Sequence, residues 1–570
     1  MKNLALLFSI VLVFLLIDPS VSRAQVENVP VYHPMYAFLK RMELEGVIEK
    51  YHDAILPLSR REIAEFLEII DRRRSELTPV EQSTLDDYLV EFQFDMKGST
   101  EGFQPFLDFS NQSFGESFNQ IFTEKEKFLY TYHDSSLSLF VDGLLTVDGR
   151  KSTGDALGDQ RAEFLQFGGR IRGTIHGNIG YSLQGTNAQF WGSRNVLQRD
   201  KFLSQDFTLA VTDAQNFDQV DGYLRYETRP LSVQVGRERI LWGNGYSDKL
   251  VVSDNARDFD AIRWDAQYKG FKYTYVHGWL LGRTSKLTFT LGSDPTLFNE
   301  PVTDDKYIAA HRFEMSFPNA IDLGFQEIEI YSNRAPDLSY LNPVTFLESS
   351  QRARNERDNG LWAFDFQAHW VRGWELEGTI DFDDLAFQKW GTNDTQNKDA
   401  KQIGIMGIDP FGVPNTNVAV EYTRIEPYTF SHSRSRDNSY TNNGRMLGEH
   451  LQPNSESWFF RLENFWTSRF RTRVSFENER HGANILAPNG TLILNVGGDI
   501  LQPERPQDSR QKDFLGGNLE QTVRWKANAS FELYKEVFLE GFFIHESVNH
   551  VTQGFSVSNN DFGVDLRLDF

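Results

Sequence analysis

Apolar and polar residues follow two different periods along this chain. Between about residues 31 and 95, apolar side chains recur every three or four positions, as Ile63, Phe66, Leu67 and Ile70 do, which indicates amphipathic helices. From about residue 128 to the C-terminus they recur at every second position, which indicates strands. The pattern predicts a small helical bundle followed by a long, mainly β domain.

The helical segment carries recognisable start signals. Ser59 with Glu62, and Thr78 with Pro79 and Glu81, have the capping-box spacing ahead of an apolar stripe. A further helix is predicted in YAFLKRMELEG, which stops at its glycine. Helices of this length are marginal alone, so we expect three helices to share one small core.

The strands combine an apolar face with a heavily charged face. Between Phe167 and Leu183, apolar residues and glycines fall on one face, and Arg170, Arg172 and His176 fall on the other. A soluble sandwich also alternates, but its outer faces rarely repeat charges so regularly without helices to cover them. A barrel in lipid requires this arrangement, with every backbone group paired. We therefore predict a mainly β fold, a transmembrane antiparallel β-barrel with a small N-terminal helical bundle.

Tight connections give the number of strands. Outer-membrane barrels place their short turns on the periplasmic side, and n strands need n/2 − 1 of them when both barrel ends are periplasmic. Eight short turns, which imply about 18 strands, are predicted at His176–Asn178, Thr228–Pro230, Lys269–Gly270, Pro318–Ala320, Arg372–Gly373, Asn415–Asn417, Thr467–Arg469 and Tyr534–Glu536.

The two ends of the chain indicate export to an outer membrane. Lys2, the apolar run from Leu4 to Ile17 and the small residues Ser22 and Ala24 form a signal-peptide pattern, and the run is too short for a comfortable membrane anchor. The last ten residues, DFGVDLRLDF, alternate up to Phe570 and resemble the C-terminal signal read by the barrel assembly machinery. We expect a signal peptide at 1–24, a periplasmic helical bundle at 25–95, a linker at 96–127 and an outer-membrane barrel at 128–570.

Composition excludes several classes of protein. The chain has 570 residues, 80 of them acidic and 58 basic, with a formal net charge of −22, which argues against a nucleic-acid partner. It has no cysteine for a disulfide or a lipid anchor. A mean hydropathy of −0.46 and the lack of a second long apolar run in the sequence exclude a helical membrane bundle.

One stretch, GRERILWGNGYSDKLVVSDN from Gly236 to Asn255, interrupts the alternation at the end of a strand. It lies between the turns at Pro230 and Gly270, which places it at the extracellular end of its hairpin. Long loops at that end carry recognition, and glycines permit tight reversals. We therefore expect this stretch to contribute to the mouth of the barrel.

The same stretch, extended to Asp265, resembles the signature of the Wzi-type capsule assembly family. Segments similar to that family follow in the same order, namely YLNPVTF, ERDNGLWAFDF, LEGTIDFDDL, VEYTRIEPYTF and MLGEHLQPNS, after an N-terminal VPVYHPMYAFLKRMELEGVI. The resemblance implies an 18-stranded outer-membrane barrel with a periplasmic helical bundle, and a lectin that holds capsular polysaccharide at the surface. The long acidic loops and the negative net charge depart from the enterobacterial type, which bears on the identity of the glycan.

A polar lumen with aromatic residues near its mouth suits sugars, because hydroxyl groups pair with planar polar groups and C–H faces pack on rings. The candidate ligand-binding residues are Arg237, Trp242, Tyr246, Asp254, Asn255 and Arg263 in the glycine-rich stretch, and Asn342, Asp358, Asn359, Glu421 and Arg424 in the other family-like motifs. For each residue the alternative is structural, namely paired charges that brace the barrel wall.

The sequence gives little support for a catalytic or metal-binding site. HESVNH, from His545, has the wrong spacing for a zinc protease and lies in a predicted strand. No nucleophile, base and acid can be assembled, so we expect neither an enzyme nor a cofactor. Asp381, Asp383 and Asp384 have carboxylates suited to calcium, but a polar strand end is the simpler interpretation and we predict no metal.

Two functions stay open at this point. The first is binding of capsular or another surface polysaccharide. The second is a porin or substrate-specific channel, because a barrel of this size can enclose water. Single-channel conductance separates them, since a plugged barrel passes little current.

Overall fold

The computed structural model describes residues 25–49, 51–107, 122–206, 209, 215–290, 297–318, 320–383, 387–432 and 437–570, with the side chains of 283–290, 297–303 and 387 left out. The predicted signal peptide at 1–24, residues 108–121 of the predicted linker, the central residue of the turn at 318–320, and Asp384 lie outside the described residues.

The N-terminal helices form where their capping signals predict them. They are α1 Met35–Leu44, α2 Arg60–Arg72, α3 Pro79–Glu91 and the short α4 Gln93–Lys97. Reciprocal capping boxes at Ser59/Glu62 and Thr78/Glu81 fix the starts of α2 and α3. Leu39, Met42 and Ile63 are fully buried in the shared core. Among the described residues, no helix is both long enough and apolar enough to span a bilayer.

The remaining chain closes into an antiparallel barrel of 18 strands, as predicted. The strands are β1 Ser138–Gly154, β2 Gln160–Ile175, β3 Ile179–Gly192, β4 Asn216–Glu227, β5 Leu231–Arg237, β6 Asp260–Tyr268, β7 Phe271–Thr290, β8 Leu297–Phe317, β9 Ile321–Ser332, β10 Asn359–Val371, β11 Trp374–Asp383, β12 Asp399–Ile408, β13 Thr416–Ile425, β14 Ser455–Phe465, β15 Phe470–Ala483, β16 Asn518–Tyr534, β17 Val537–His550 and β18 Phe555–Asp569. β18 pairs with β1 and closes the ring, and a short strand at Tyr130–His133 lies beside β1.

The predicted short turns all join neighbouring strands at one end of the barrel, which we call the short-turn end; the opposite end is the long-loop end. The connection predicted at Asn415–Asn417 is longer than expected and covers residues 409–415, because a 3-10 turn at Pro410–Gly412 precedes β13. On the outer face, Phe167, Leu183, Leu224 and Val235 are 53–62% exposed, which is the apolar exterior that lipid requires.

Short elements occupy the connections. Helices α5 Arg194–Leu197 and α6 Leu347–Arg354 lie in long loops, and 3-10 turns form at Arg74–Glu76, Leu203–Gln205, Phe387–Lys389 and Pro410–Gly412. Two-residue and three-residue strands pair as Ile55–Leu56 with Leu241–Trp242, Phe103–Pro105 with Glu126–Phe128, Thr441–Asn442 with Arg445–Met446, and Ile485–Leu486 with Leu492–Leu494.

The helical bundle lies at the short-turn end and projects into the lumen. At the rim, Gly373 N–H donates to Leu44 O (2.7 Å) and Arg61 donates to Gly177 O (2.6 Å). Deeper inside, Lys40 Nζ lies 2.8 Å from Glu375 on β11. The bundle is therefore held by hydrogen bonds and ion pairs to several different strands.

Candidate functional site

The glycine-rich stretch folds into the lumen instead of forming the mouth. Leu241–Trp242 pairs with Ile55–Leu56 of the bundle, and Gly243 N–H donates to Ala54 O (2.7 Å). Gly243 and Gly245 have φ of +97° and +141°, which lets the chain reverse inside the barrel. The stretch leaves its strand at the long-loop end, as expected, but it extends inward until it reaches the bundle.

Trp242 anchors this inward fold. Only 1% of its surface is exposed, and its indole N–H donates to the side-chain oxygen of Gln326 on β9. It belongs to an apolar cluster that includes lumen-facing wall residues such as Val276, Ile308 and Leu361. The lumen is therefore not uniformly polar, because the strands on this side have apolar residues on their inner face.

A second loop completes this core. Tyr440 donates to Val251 O (2.8 Å), Ser253 N–H donates to Leu447 O (2.9 Å), and the Asn255 amide donates to Met446 O (2.9 Å). We call residues 238–259, together with 427–432 and 437–452, the plug. It fills the half of the lumen that β6 to β13 enclose.

Several predicted ligand residues hold the plug and the wall together. Glu421 accepts the backbone N–H groups of Tyr246 (2.7 Å) and Ser247 (3.1 Å), and the Tyr246 hydroxyl donates to Glu375 (2.9 Å). Arg263 pairs with Asp265 at 2.9 Å and donates to Pro57 O (3.2 Å) of the bundle. These side chains are buried and their polar atoms are engaged within the protein.

Two other predicted residues, Asp358 and Asn359, are also buried. Asp358 pairs with Arg334 at 2.6 Å and accepts the Tyr340 hydroxyl at 2.7 Å. The Asn359 amide donates to Asn438 O (2.9 Å). Both residues therefore stabilise loop structure in this conformation, and a ligand-binding role for them stays a prediction.

Two groups of histidine and acidic side chains have ligand atoms close enough to share a metal ion, Glu43/His369/Glu375 and Asp248/Glu449/His450. A lysine already pairs with each group: Lys40 is 3.0 Å from Glu43, and Lys201 contacts Asp248. Burial opposes ionisation of Asp248, but Lys201 and His450 still hold its pKa well below the usual range. Each group therefore already has a cationic partner in this structure.

The carboxylates considered for calcium also serve the plug. Asp381 and Asp383 are buried near the end of β11, and Asp383 accepts the backbone N–H of Phe430 at 2.6 Å. Asp384 lies outside the described residues. Asp383 therefore ties the wall to the plug, and the absence of a metal stays a prediction.

The other half of the lumen holds an elongated chamber of about 920 Å³. It extends from Thr84 on α3 and Ser468 at the short-turn end to Phe202 and Asp254 in loops of the long-loop end. Arginines and carboxylates alternate along it, for example Arg170 with Asp142 (2.6 Å). The chamber is thus a charged cavity with many paired donors and acceptors.

The part of the chamber nearest the long-loop end carries an accessible ring. Phe202 is 44% exposed, and the Arg239 guanidinium lies 5.1 Å from its ring centroid. Arg239 pairs with Asp258 at 2.5 Å, and Lys201 pairs with Asp254 at 2.5 Å. We call Phe202, Arg237, Arg239, Asp254 and Asp258 the upper chamber site.

Two of the predicted ligand residues, Arg237 and Asp254, line this site; Arg237 pairs with Asp260 at 2.9 Å. Sequence reasoning missed the other three residues of the site, Phe202, Arg239 and Asp258. The only signal for Phe202 is an aromatic residue between charges in a long loop, DKFLSQD.

The last two predicted residues lie elsewhere. Arg424 pairs with Glu426 at 2.7 Å and sits 3.6 Å from the Phe514 ring centroid. Asn342 is exposed on the loop between β9 and β10. Neither residue lines the chamber.

Comparison with known proteins agrees with this architecture. The family model described as capsule assembly protein Wzi matches residues 146–560. No curated protein matches the chain. Among solved structures, Wzi of Escherichia coli, described as an outer-membrane protein involved in group 1 capsule assembly and a carbohydrate-binding β-barrel, superposes with a TM-score of 0.52 at 14% identity over 95% of this chain and 99% of that chain.

Two other solved structures match less well. Pseudomonas aeruginosa OccK5 (OpdH) has a TM-score of 0.41 at 10% identity, over 75% of this chain and 98% of its own. Pseudomonas aeruginosa OprD has a TM-score of 0.40 at 9% identity, over 76% of this chain and 95% of its own. The family model spans most of the chain, and the closed 18-stranded barrel has the apolar exterior that lipid requires. This chain therefore belongs to the Wzi family of capsule assembly proteins and is an outer-membrane β-barrel.

Proposed function

We propose that this protein retains capsular polysaccharide at the cell surface and binds it in the upper chamber site, entered from the long-loop end. The observation that carries the proposal is the exposed Phe202 ring beside the Arg239–Asp258 pair. An exposed ring next to paired donors and acceptors offers a sugar both a packing surface and hydrogen-bond partners.

The charge of the site favours a particular kind of glycan. Arg237, Arg239 and Lys201 each face a carboxylate, at 2.9, 2.5 and 2.5 Å. A site in which the cations are already neutralised provides little broad attraction for polyanions. We therefore expect the bound segment to be neutral, or to place any acidic sugar within reach of one arginine.

A channel remains the second candidate, and the chamber is the observation that favours it. The chamber runs through the half of the lumen that the plug leaves unfilled. The plug and the bundle fill the rest, so we expect much smaller single-channel conductance than an open barrel of 18 strands gives. A large, steady conductance from the purified protein would favour the channel.

Phe202→Ala tests the binding site, with Phe202→Tyr as the matched control that keeps the ring. Loss of the ring should weaken binding by about 0.5–1.5 kcal/mol, the usual contribution of an aromatic contact beyond its buried area. The measurements are retention of capsule by cells and titration of purified protein with the fragmented capsule. Equal retention and affinity in a folded Phe202→Ala variant would contradict the proposed site.

A further inference from the structure

The outer face of β7, β8 and β9 is covered where lipid would be expected. Val276, Ile308 and Ile328 on these strands face the plug, so the alternate positions point away from the lumen. Those alternate positions are nevertheless almost completely buried, at 0–5% exposure, and several are polar: Tyr275, His277, Tyr307, Ala309, His311, Glu327, Glu329 and Tyr331.

The cover is the connection between β9 and β10, residues 333–358, which we call the outer strap. Asp337 N–H donates to the Tyr331 hydroxyl (3.2 Å), and the Tyr275 hydroxyl donates to Tyr340 O. Further along the strap, the Tyr273 hydroxyl donates to Pro343 O. The strap therefore runs along the outside of the barrel wall towards the short-turn end, instead of extending away from the wall.

The strap then returns towards the long-loop end. Leu347 and Glu348 at the start of α6 donate their backbone N–H groups to Glu327 (2.9 and 2.8 Å). Leu347 is fully buried against Tyr307 and Tyr331. These contacts explain the polar residues on the outer wall, because they pair with backbone groups of an irregular segment.

Along the barrel axis, the strap lies level with the exposed apolar residues of the outer wall, which we call the apolar belt. Tyr273 and Phe313 are register partners, and β8 continues from Phe313 to Phe317 at the short-turn end. In that continuation Met315 and Phe317 are 44% and 49% exposed on the outer face, as is Leu323 of β9 at 45%. Exposed apolar surface therefore continues from the strap towards the short-turn end.

The strap itself presents an apolar surface away from the barrel. Leu338 and Val344 are each 81% exposed, and Phe346 is 61% exposed. Arg352 and Arg357, both exposed, follow on the part of the strap that leads back to β10 at the long-loop end. The exposed surface thus passes from apolar to charged towards the long-loop end, where Arg352 also pairs with Glu348 at 2.5 Å.

We infer that the outer strap is a lipid-contacting element, in which Leu338, Val344 and Phe346 pack against acyl chains over β7 to β9. Irregular backbone is tolerated at membrane depth only where protein satisfies its polar groups, and Tyr273, Tyr275, Glu327 and Tyr331 do this here. The arginines can extend their charged ends towards the headgroups. The apolar surface of the strap is continuous with the lipid-facing belt, which makes lipid its occupant.

The chain has no cysteine, so a single introduced thiol can report on the strap. We would label Val344→Cys with a polarity-sensitive fluorophore in phosphatidylcholine vesicles and measure quenching by nitroxide-bearing lipids and by aqueous iodide. Leu323→Cys, on the belt, is the lipid control, and Asn489→Cys, in an exposed loop, is the water control.

The expected result is that Val344→Cys follows Leu323→Cys: blue-shifted emission, strong quenching by the nitroxide lipid and little by iodide. Quenching by iodide alone would overturn the inference by placing the strap in water. Protection from both quenchers would also overturn it, because that result means a protein surface, such as a second copy of this chain, covers the strap.

A second pair of variants tests whether residue 344 contacts acyl chains. Val344→Asp should lower the yield of folded, heat-modifiable barrel in vesicles several-fold, whereas Val344→Leu should leave it unchanged, because the side chain makes no buried contact within the protein. Equal yields from both variants would contradict contact with acyl chains.

Discussion

The indole N–H of Trp242 donates to the side-chain oxygen of Gln326, which joins the loop after β5 to β9, with three strands between them along the chain. Leu241 and Trp242 also pair with Ile55 and Leu56 of the bundle. One tryptophan therefore connects the wall, the plug and the N-terminal bundle. A glycine-rich stretch that reads as a recognition loop is instead the centre of a second, internal core.

Replacing Trp242 by Ala should loosen the plug. The side chain is 1% exposed, and large-to-small changes of buried aromatic residues usually cost about 3–5 kcal/mol. The barrel has its own hydrogen-bonded ladder and should still assemble. We expect faster proteolysis within residues 238–259 and a larger conductance in planar bilayers.

Trp466→Ala is the matched control for Trp242→Ala, because Trp466 is 59% exposed and lies outside the plug. It should leave both readouts unchanged. A Trp242→Ala protein with wild-type conductance and wild-type proteolysis would show that the plug does not depend on this side chain.

The N-terminal bundle should be less stable at alkaline pH. Burial, together with a hydrogen bond shared with Glu81, raises the pKa of Glu45 from 4.5 to about 8. A group whose folded-state pKa is raised contributes stability that is complete below the unfolded value and is lost as pH rises through the folded value. That loss falls between about pH 4.5 and pH 8, so α1 should be less protected at pH 9 than at pH 6.

Hydrogen exchange of the α1 amides, corrected for intrinsic rates, measures this pH dependence. The Glu45→Gln side chain stays neutral, so this variant should lose most of the pH dependence of α1 exchange. Glu68 is exposed on α2, so Glu68→Gln should keep the pH dependence. A pH dependence of the same size in Glu45→Gln would assign the effect to other groups.

Deleting Phe570 should impair assembly of the barrel. Its backbone N–H donates to Gly143 O (2.8 Å) and its carbonyl oxygen accepts from Gly143 N–H, so it completes the closure of β18 on β1. Its ring also lies 5.3 Å from that of Phe106. The measurement is the fraction of heat-modifiable protein in the outer membrane.

Phe570→Tyr keeps the ring and the backbone contacts and should assemble normally. If the barrel assembly machinery reads the terminal aromatic residue, Phe570→Ala should assemble more slowly than Phe570→Tyr even though both retain the backbone pairing. Equal rates for the two variants would limit the role of Phe570 to its backbone.

The bundle should face the periplasm, since it packs against the short turns of the barrel. A thiol at Glu68→Cys on α2 should stay unlabelled by a membrane-impermeant maleimide on intact cells and become labelled when the outer membrane is permeabilised. Asn489→Cys, in a long loop, should be labelled in both conditions. Labelling of Glu68→Cys on intact cells would contradict the periplasmic location of the bundle.

Local sequence determined most of the fold. Alternation over residues such as Phe167 to Leu183 specifies a strand with one lipid face, because each strand must satisfy the same requirement independently in the membrane. The turns are also local, and so are the capping boxes at Ser59 and Thr78, whose bonds span three residues. For these reasons the strand number and the positions of the helices could be predicted from the sequence.

The directions of the long loops could not be predicted in this way. Trp242, Tyr246 and Glu421 have the composition of a binding site, but their partners lie far away in sequence, at Ile55, Gln326 and Glu375. The outer strap is polar in sequence, yet it covers the wall because its backbone pairs with Tyr273, Tyr275 and Glu327. Whether a loop enters the lumen, crosses the outer wall or reaches into water depends on contacts that exist only after the barrel has closed, and the tertiary structure alone decided that Phe202, and not Trp242, exposes its ring.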